Sequence, residues 1–273
     1  MKIAQVFHED RLMVGEIKDD MVMPLAWDGT LVDLIQRDRM PEPLDRAPLN
    51  LDDIRWAPAV TNPGKIIAIG LNYQDHAKES KGKVPAFPLV FAKFPSSLLG
   101  HKEPITWEEK ATRKVDFEAE LAVVLQRRVR NCSEEDAMDA VFGFACANDV
   151  SARDLQFGDG QWVRGKSLDT FCPLGPWVVT KDEIPDPQDL GIRCLVNGEP
   201  MQDSRTSRMF FPVSRLISLL SRYFTLFPGD IILSGTPAGV GAFRDPSIYL
   251  KDGDEVIVEI DGIGRLINTC RVI

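Results

Sequence analysis

Short apolar runs interrupted by glycine and proline constrain this chain more than any other feature of its sequence. The 273 residues include 20 glycines and 19 prolines, and few stretches between them are long enough for a regular helix. Residues 65–69 and 89–92 are apolar runs of strand length, which predicts two buried strands. Residues 254–273 predict a hairpin that turns at Asp261 and Gly262. We therefore predict an α+β, mostly β fold built from mixed sheets.

Two helices stand out against this background. Residues 213–224 carry apolar side chains at helical spacing. A second helix is predicted to begin at Ser133, because its hydroxyl can cap the first turn and the acids Glu134 and Glu135 suit the positive end of a helix dipole.

The N-terminal region has a different pattern from the rest of the chain. Residues 2–25 alternate short apolar runs with charged turns, which predicts a small antiparallel sheet, and a short helix is expected at 31–37. Residues 40–64 are rich in proline and aspartate and favour a linker. We place a domain boundary near residue 60, with a small β-rich domain at 1–60 and the main domain at 61–273.

Composition excludes several classes of protein. With 44% hydrophobic and 27% charged residues the chain can bury a sizeable core, so disorder is excluded. The longest stretch without a charged side chain, 231–243, is shorter than the roughly 20 residues of a membrane span. Charges also appear too early for a signal peptide, so we expect a cytoplasmic protein. A net charge of −9 without a basic cluster argues against nucleic acid as a partner.

The metal-ligating residue types narrow the kinds of site that the chain can build. Its five cysteines are scattered without a Cys-x-x-Cys pair, which predicts reduced core residues and no disulfide framework. Its three histidines do not share helical ligand spacing. A metal site would therefore consist of carboxylates, which suit a hard cation.

An acidic segment at 115–125 is the most informative motif. In one extended strand, Asp116, Glu118 and Glu120 share a face, and no lysine or arginine is interleaved with them. A half-exposed strand with its acids in water is one interpretation. A bound cation that relieves the repulsion between the carboxylates is the other. Asp149 ends a separate apolar run, either as the N-cap of a helix at 151–155 or as a further cation ligand.

Five motifs, taken together, resemble the fumarylacetoacetate hydrolase family, and most closely its fumarylacetoacetate hydrolase domain-containing branch. They occur in the family's order and are GLNYQDHAKE at 70–79, DFEAELA at 116–122, NDVSARDLQ at 148–156, GKSLDTFCPLGP at 165–176 and SGTPAGVG at 234–241. The resemblance implies a mixed β-sheet roll or barrel and a homodimer.

The resemblance also implies the residues of the site. It assigns Glu118, Glu120 and Asp149 to a divalent metal, Mg²⁺ or Mn²⁺, with Ca²⁺ possible in crystals, and makes Asp116 a neighbour of the metal site. His76 and Glu79 would form a water-activating dyad on a lid, and the hinges of that lid would include Gly70, Gly82 and Pro85. Lys166, with Arg153 and Gln156, would bind substrate and stabilise oxyanions.

Some of these residues also have simpler interpretations. His76 and Glu79 match an exposed i,i+3 helical pair, and Arg153 could form a surface ion pair with a nearby aspartate. Residues 160–167 match the Walker A pattern, but the sequence around them lacks the strand and the long helix that a phosphate loop requires. Gly235 and Thr236 lie in a glycine-rich turn that could bind a substrate carboxylate.

The resemblance leads to a ranked set of functions. We first expect a hydrolase that cleaves a C–C bond in an acylpyruvate-type 2,4-diketo acid through a pyruvate enolate, with the metal as Lewis acid. The alternative at the same site is an oxaloacetate decarboxylase or a keto–enol tautomerase. A second alternative is a non-catalytic binding protein stabilised by a cation.

Overall fold

The computed structural model of the protein describes residues 1–37, 40–82 and 86–273. The predicted hinge residue Pro85 lies outside these residues. The strands, in chain order, are β1 Lys2–His8, β2 Arg11–Lys18, β3 Met21–Pro24, β4 Leu49–Asn50, β5 Arg55–Trp56, β6 Ile66–Gly70, β7 Leu89–Lys93, β8 Leu98–Leu99, β9 Ile105–Trp107, β10 Val115–Asp116, β11 Ala119–Leu125, β12 Val141–Asn148, β13 Ser151–Ala152, β14 Cys172–Thr180, β15 Gly191–Val196, β16 Glu199–Arg205, β17 Ile231–Leu233, β18 Glu255–Ile260 and β19 Gly264–Val272.

Helices are short and few in the described part of the chain. The α-helices are α1 Leu31–Ile35, α2 Gln74–Glu79, α3 Arg153–Gly158, α4 Val163–Lys166 and α5 Val213–Tyr223. Single 3₁₀ turns occur at Pro95–Ser97, Ala137–Ala140, Lys181–Glu183, Thr206–Arg208 and Gly241–Phe243. Among these elements, no helix is both long and apolar enough to cross a membrane. The α+β, mostly β class is confirmed.

Two large mixed sheets organise the described residues. The larger one has the strand order β4-β3-β2-β1-β14-β12-β11-β17-β6-β7, with β5 paired to β1 and β8 paired to β14. The second has the order β16-β15-β18-β19-β9, and β10 pairs with β13 in a separate ribbon. β11 lies between β12 and β17, so the carboxylates at its start are brought to the centre of the larger sheet.

The N-terminal strands continue this larger sheet. β1, β2 and β3 form the predicted antiparallel meander, and Ile3 of β1 pairs with Val178 of β14. The segment expected to be a linker is mainly irregular but contains the two-residue strands β4 and β5. The domain boundary near residue 60 stays a prediction.

Most of the other element predictions are confirmed, with two differences. The hairpin β18–β19 and the helix α5 lie where they were predicted. The helix expected at Ser133 is wrong: the Ser133 hydroxyl does accept the Asp136 backbone N–H at 3.1 Å, but the chain continues only into the 3₁₀ turn at Ala137–Ala140. β7 is an edge strand whose side chains are largely exposed, with the exception of Lys93.

The acidic segment is not one continuous strand. It breaks between β10 and β11, because side chains from other elements accept the backbone N–H groups that a ladder would use. The N–H of Glu118 donates to Asn148 Oδ1 at 2.9 Å, and that of Ala119 donates to Gln202 Oε1 at 2.9 Å. The half-exposed interpretation is also wrong, since Asp116, Glu118 and Glu120 are all buried. After this break, Glu118 and Glu120 lie in the site described below.

Substitution of Phe117, which lies in this break, tests how much core packing there contributes to the stability of the fold. Its ring is fully buried in the main core. We expect Phe117→Ala to lower the free energy of unfolding by about 3–5 kcal/mol, because truncation of a buried aromatic leaves a cavity. Phe87→Ala is the matched control, since that ring is 62% exposed. Urea unfolding of both variants measures the difference, and equal small losses would contradict the packing role.

Candidate metal centre and catalytic pocket

Three carboxylates converge at the centre of the larger sheet. Glu118, Glu120 and Asp149 each present one oxygen, and these oxygens all lie within 4.8 Å of one another. Glu118 lies just before β11 and Glu120 within it, whereas Asp149 follows the neighbouring strand β12. The Asp149 backbone N–H donates to Glu118 O at 2.9 Å, which fixes the two segments together. Asp149 is therefore not the N-cap of α3, whose cap position is Ala152.

Buried cations surround two of these carboxylates. Lys166 Nζ lies 2.7 Å from both Glu118 Oε2 and Asp149 Oδ2, and Arg153 Nη2 lies 2.7 Å from Glu118 Oε1. Burial raises the pKa of Glu118, but Lys166 and Arg153 outweigh burial and bring it to about 2. Burial lowers the pKa of Lys166, and the attraction of Asp149 and Glu118 more than reverses that effect. Glu118 is thus ionised and Lys166 is an ammonium.

Glu120 has no such partner in the described part of the chain. Its Oε2 accepts the Gly235 backbone N–H at 2.7 Å, and no salt bridge neutralises it. Burial, with repulsion from Asp149 and Glu118, raises the pKa of Glu120 well above its usual range. Three hard oxygen donors, one of them lacking a counter-charge, fit the ligand preference of Mg²⁺ or Mn²⁺.

Asp116 lies beside the acidic triad and is connected through Arg153 to Glu118 and through its own hydrogen bonds to a loop. Its carboxylate accepts hydrogen bonds from Arg153 Nε at 2.8 Å and from the backbone N–H groups of Gly241 and Ala242 at 2.7 and 2.9 Å. Arg153 also donates to Gln156 Oε1 at 2.8 Å. The interpretation of Arg153 as part of a surface ion pair is wrong, because it is buried and spans Asp116 and Glu118.

His76 and Glu79 form a hydrogen-bonded dyad on α2. His76 Nδ1 lies 2.8 Å from Glu79 Oε1, and His76 is buried, which rules out an exposed helical pair. The second oxygen of Glu79 accepts the Gly239 backbone N–H at 2.9 Å, and Asp75 accepts the Ser204 hydroxyl at 2.6 Å. These contacts dock α2 onto the loop that follows β17 and onto β16.

One cavity of about 190 Å³ is lined by His76 of the dyad and by Glu118 and Glu120 of the acidic triad. Its polar lining consists of His76, Ser80, Glu118, Glu120, Arg153, Gln156, Lys166 and Thr236. Its apolar lining includes Leu71, Phe91, Phe157, Trp162 and Phe243, with the Phe243 ring 5.8 Å from the His76 ring. The proposed hinge residues Gly70 and Gly82 line the same space.

The glycine-rich turn presents one donor to this cavity. The Gly235 N–H is taken by Glu120, whereas Thr236 Oγ1 accepts Gln202 Nε2 at 2.8 Å and lines the cavity. The Thr236 hydroxyl therefore retains its proton for a ligand. The Walker A match is confirmed as accidental, because α4 is only four residues long and Lys166 points at carboxylates.

The sequence analysis missed two residues of this site, Lys93 and Asp75. Lys93 Nζ lies 2.5 Å from Asp149 Oδ1. Its one sequence signal is a single charge at the end of an apolar run. Asp75 carries no signal beyond its place beside His76. The five cysteines are free, as predicted.

The raised pKa of Glu120 makes stability depend on pH. We expect the metal-free protein to become less stable as pH rises above 4.5, because the folded state holds a proton on Glu120 that the unfolded chain releases near 4.5. In Glu120→Gln this decline disappears. Urea unfolding in EDTA at several pH values, compared between the two proteins, separates this effect from His101, whose burial lowers its pKa to about 4 and acts oppositely. Parallel curves for the two proteins would contradict the assignment.

Comparison with known proteins identifies the family. The family model described as fumarylacetoacetate (FAA) hydrolase C-terminal matches residues 65–271. The chain is 50% identical over 222 residues to the mitochondrial oxaloacetate tautomerase fahd2 of Xenopus laevis, which covers 81% of this chain and 69% of that protein.

Solved structures agree over the full length of the chain. A fumarylacetoacetate hydrolase from Exiguobacterium antarcticum superposes with a TM-score of 0.91 at 36% identity, and both chains are fully covered. A 5-carboxymethyl-2-hydroxymuconate delta-isomerase from Mycobacterium smegmatis has a TM-score of 0.85 at 34% identity, again with full coverage. The chain therefore belongs to the fumarylacetoacetate hydrolase family of enzymes.

Proposed function

We propose that this protein is a divalent-metal-dependent enzyme that forms the enolate of a 2-oxo acid, with keto–enol tautomerisation of oxaloacetate as its first activity. The observation that carries the proposal is a cavity lined by His76, Lys166 and the acids Glu118 and Glu120, with Asp149 completing the acidic triad and Glu79 hydrogen-bonded to His76. The similarity to fahd2 supports oxaloacetate as substrate. This reverses the order expected from sequence, in which acylpyruvate hydrolysis came first.

Glu118, Glu120 and Asp149 would hold Mg²⁺ or Mn²⁺, each through an oxygen. When bound, the cation supplies Lewis-acid stabilisation of the negative charge that develops on the C2 oxygen of the substrate. Substrate charge is also met by this chain's own donors. The Thr236 hydroxyl and the Gln156 amide both line the cavity, and Arg153 holds Gln156 Oε1 so that the amide N–H₂ is the free end.

His76 is the proposed proton-transfer residue. With the Glu79 carboxylate accepting a hydrogen bond from Nδ1–H, the proton of the neutral imidazole stays on Nδ1, and Nε2 keeps a lone pair that can act as a base. In tautomerisation, Nε2 takes a proton from C3 while the C2 oxygen gains one, so that the keto form becomes the enol. Lys166 contributes a positive charge beside the carboxylates and can stabilise or protonate the enolate oxygen.

Hydrolysis of an acylpyruvate is the second candidate, and the structural similarity to a fumarylacetoacetate hydrolase favours it. Here Nε2 would take a proton from water, and the hydroxide would attack the distal carbonyl carbon. The bond between that carbon and C3 breaks, its electron pair forms pyruvate enolate, and a proton then restores pyruvate. Loss of carbon dioxide from oxaloacetate would form the same enolate without a water nucleophile. A cytoplasmic location and a homodimer stay predictions.

Removal of the metal tests the enzyme against a cation-stabilised binding protein. We expect EDTA to abolish oxaloacetate tautomerisation and added Mg²⁺ or Mn²⁺ to restore it, with a modest change in melting temperature. Ultraviolet absorbance of the enol measures the rate, and Glu120→Gln serves as a variant that metal should not restore. A large melting shift without any turnover of 2-oxo acids would instead support the binding protein.

Substitution of the dyad tests the role of His76. We expect His76→Ala to lower acylpyruvate cleavage and oxaloacetate tautomerisation by about 10²–10⁴-fold, the usual contribution of a positioned acid–base group. Released pyruvate and enol absorbance report the two reactions, and His8→Ala, which removes a histidine at the end of β1, is the control. Cleavage as fast as in the parent protein would rule out water activation by His76. Loss of cleavage alone would restrict the dyad to hydrolysis.

A further inference from the structure

Lys93 is a buried lysine that the chemistry above does not use. It ends β7, and its side chain is completely buried. Its ammonium contacts Asp149 Oδ1 at 2.5 Å, Val150 O at 3.4 Å and the backbone carbonyl of Lys166. These three acceptors use all three N–H groups of the ammonium. Lys93 is also absent from the described lining of the cavity, so it is not placed to touch a substrate.

The two oxygens of Asp149 contact different lysines, one Lys93 and the other Lys166. Oδ1 is held by Lys93, whereas Oδ2 lies 2.7 Å from Lys166 Nζ, which also contacts Glu118 Oε2 at 2.7 Å. A carboxylate free to rotate could present either oxygen or turn away altogether. The contact with Lys93 therefore fixes which oxygen of Asp149 meets the other two acids.

The same strand end also holds the segment that carries Lys166. Lys93 Nζ donates to the Lys166 carbonyl, and the next residue, Phe94, donates its backbone N–H to Ser167 Oγ at 3.1 Å. The last residue of β7 and the residue after it thus bond to the last residue of α4 and the residue after it. Lys93 links an acid of the triad and the backbone of the neighbouring lysine in one contact.

We propose that Lys93 is a positioning residue of the metal centre, which raises metal affinity by holding Asp149 in the ligating orientation. The proposal rests on the proposed metal-dependent function. According to this proposal the positively charged Lys93 strengthens cation binding, whereas electrostatic repulsion alone would weaken it.

Lys166 provides the internal comparison. It has the same charge and contacts the same carboxylate, but its Nζ bridges two acids of the triad, 2.7 Å from both Asp149 Oδ2 and Glu118 Oε2. A cation bound between those two acids would displace this ammonium. Lys166 therefore competes with the metal, whereas Lys93, on the far oxygen of Asp149, does not.

The experiment measures Mn²⁺ binding to the EDTA-stripped full-length protein by titration calorimetry, with the electron paramagnetic resonance spectrum of bound Mn²⁺ as a second readout. We expect Lys93→Met to bind Mn²⁺ about 10–100-fold more weakly, the usual effect of losing a residue that orients a ligand. We expect Lys166→Met to bind roughly tenfold more tightly, because a competing charge is removed. Lys65→Met, which loses a lysine paired with Asp230 outside the site, should leave the affinity unchanged.

Each outcome decides a different point. Unchanged or tighter binding by Lys93→Met overturns the positioning role, and an unchanged Mn²⁺ spectrum in that variant does the same. If Lys93→Met does not fold, Lys93→Gln replaces it, since the amide can still donate to Asp149. An Mn²⁺ affinity of Lys93→Gln that is weaker than that of the parent but still measurable supports the role. Failure of both variants to fold, while Lys65→Met folds, makes Lys93 purely structural and overturns the proposal. Absence of Mn²⁺ binding by the parent protein would instead contradict the proposed function.

Discussion

The centre of the larger sheet buries more acidic than basic side chains, and the arrangement of the site depends on this imbalance. Ionisable acids and cations interleave at the centre of the larger sheet, where an unpaired charge is costly to bury. In the described residues four acids meet three cations there: Asp116, Glu118, Glu120 and Asp149 against Lys93, Arg153 and Lys166. The unmatched acid is Glu120, with a backbone N–H as its hydrogen-bond partner. Because burial and the neighbouring acids raise the pKa of Glu120 well above its usual range, this acid holds a proton in the metal-free fold, and a bound cation would take the place of that proton.

Much of this arrangement could be predicted from the sequence, because it depends on local patterns. Short apolar runs indicated several of the strands, and the order of five motifs indicated which acids converge. The break before β11 could not be predicted. It depends on Asn148 and Gln202, which accept backbone N–H groups of the acidic segment from about 30 and 80 residues away. The helix expected at Ser133 failed for a related reason: a capping hydroxyl can also close a single turn.

The lysines show the same limit within the site. Lys166 was found because it belongs to a motif. Lys93 was missed because a lysine at the end of a strand commonly lies in solvent, and here the edge strand β7 is exposed up to the residue before it. What buries Lys93 is the position of Asp149, 56 residues later in the chain. The periodicity of the sequence cannot predict a contact between residues so far apart in the chain.

The docking of α2 depends on the backbone of a distant turn. Gly239 has a φ of +104°, and a Cβ at this position would collide with the backbone carbonyl of Met201. Its N–H is free to meet Glu79 because the turn adopts this conformation. A glycine on a loop therefore fixes the orientation of the Glu79 carboxylate, which holds the His76 imidazole.

The aromatic side chains at the mouth of the cavity are attached to different segments from those that carry the carboxylates. Phe157 belongs to α3, Trp162 precedes α4 and Phe243 ends a 3₁₀ turn. Phe157 and Phe243 are exposed, their ring centroids are 6.4 Å apart, and the Phe243 ring also lies beside His76. Replacement of such a ring changes the shape offered to the far end of a substrate and leaves the ionic interior intact. Evolution can therefore alter selectivity on this scaffold without rebuilding its reactive centre.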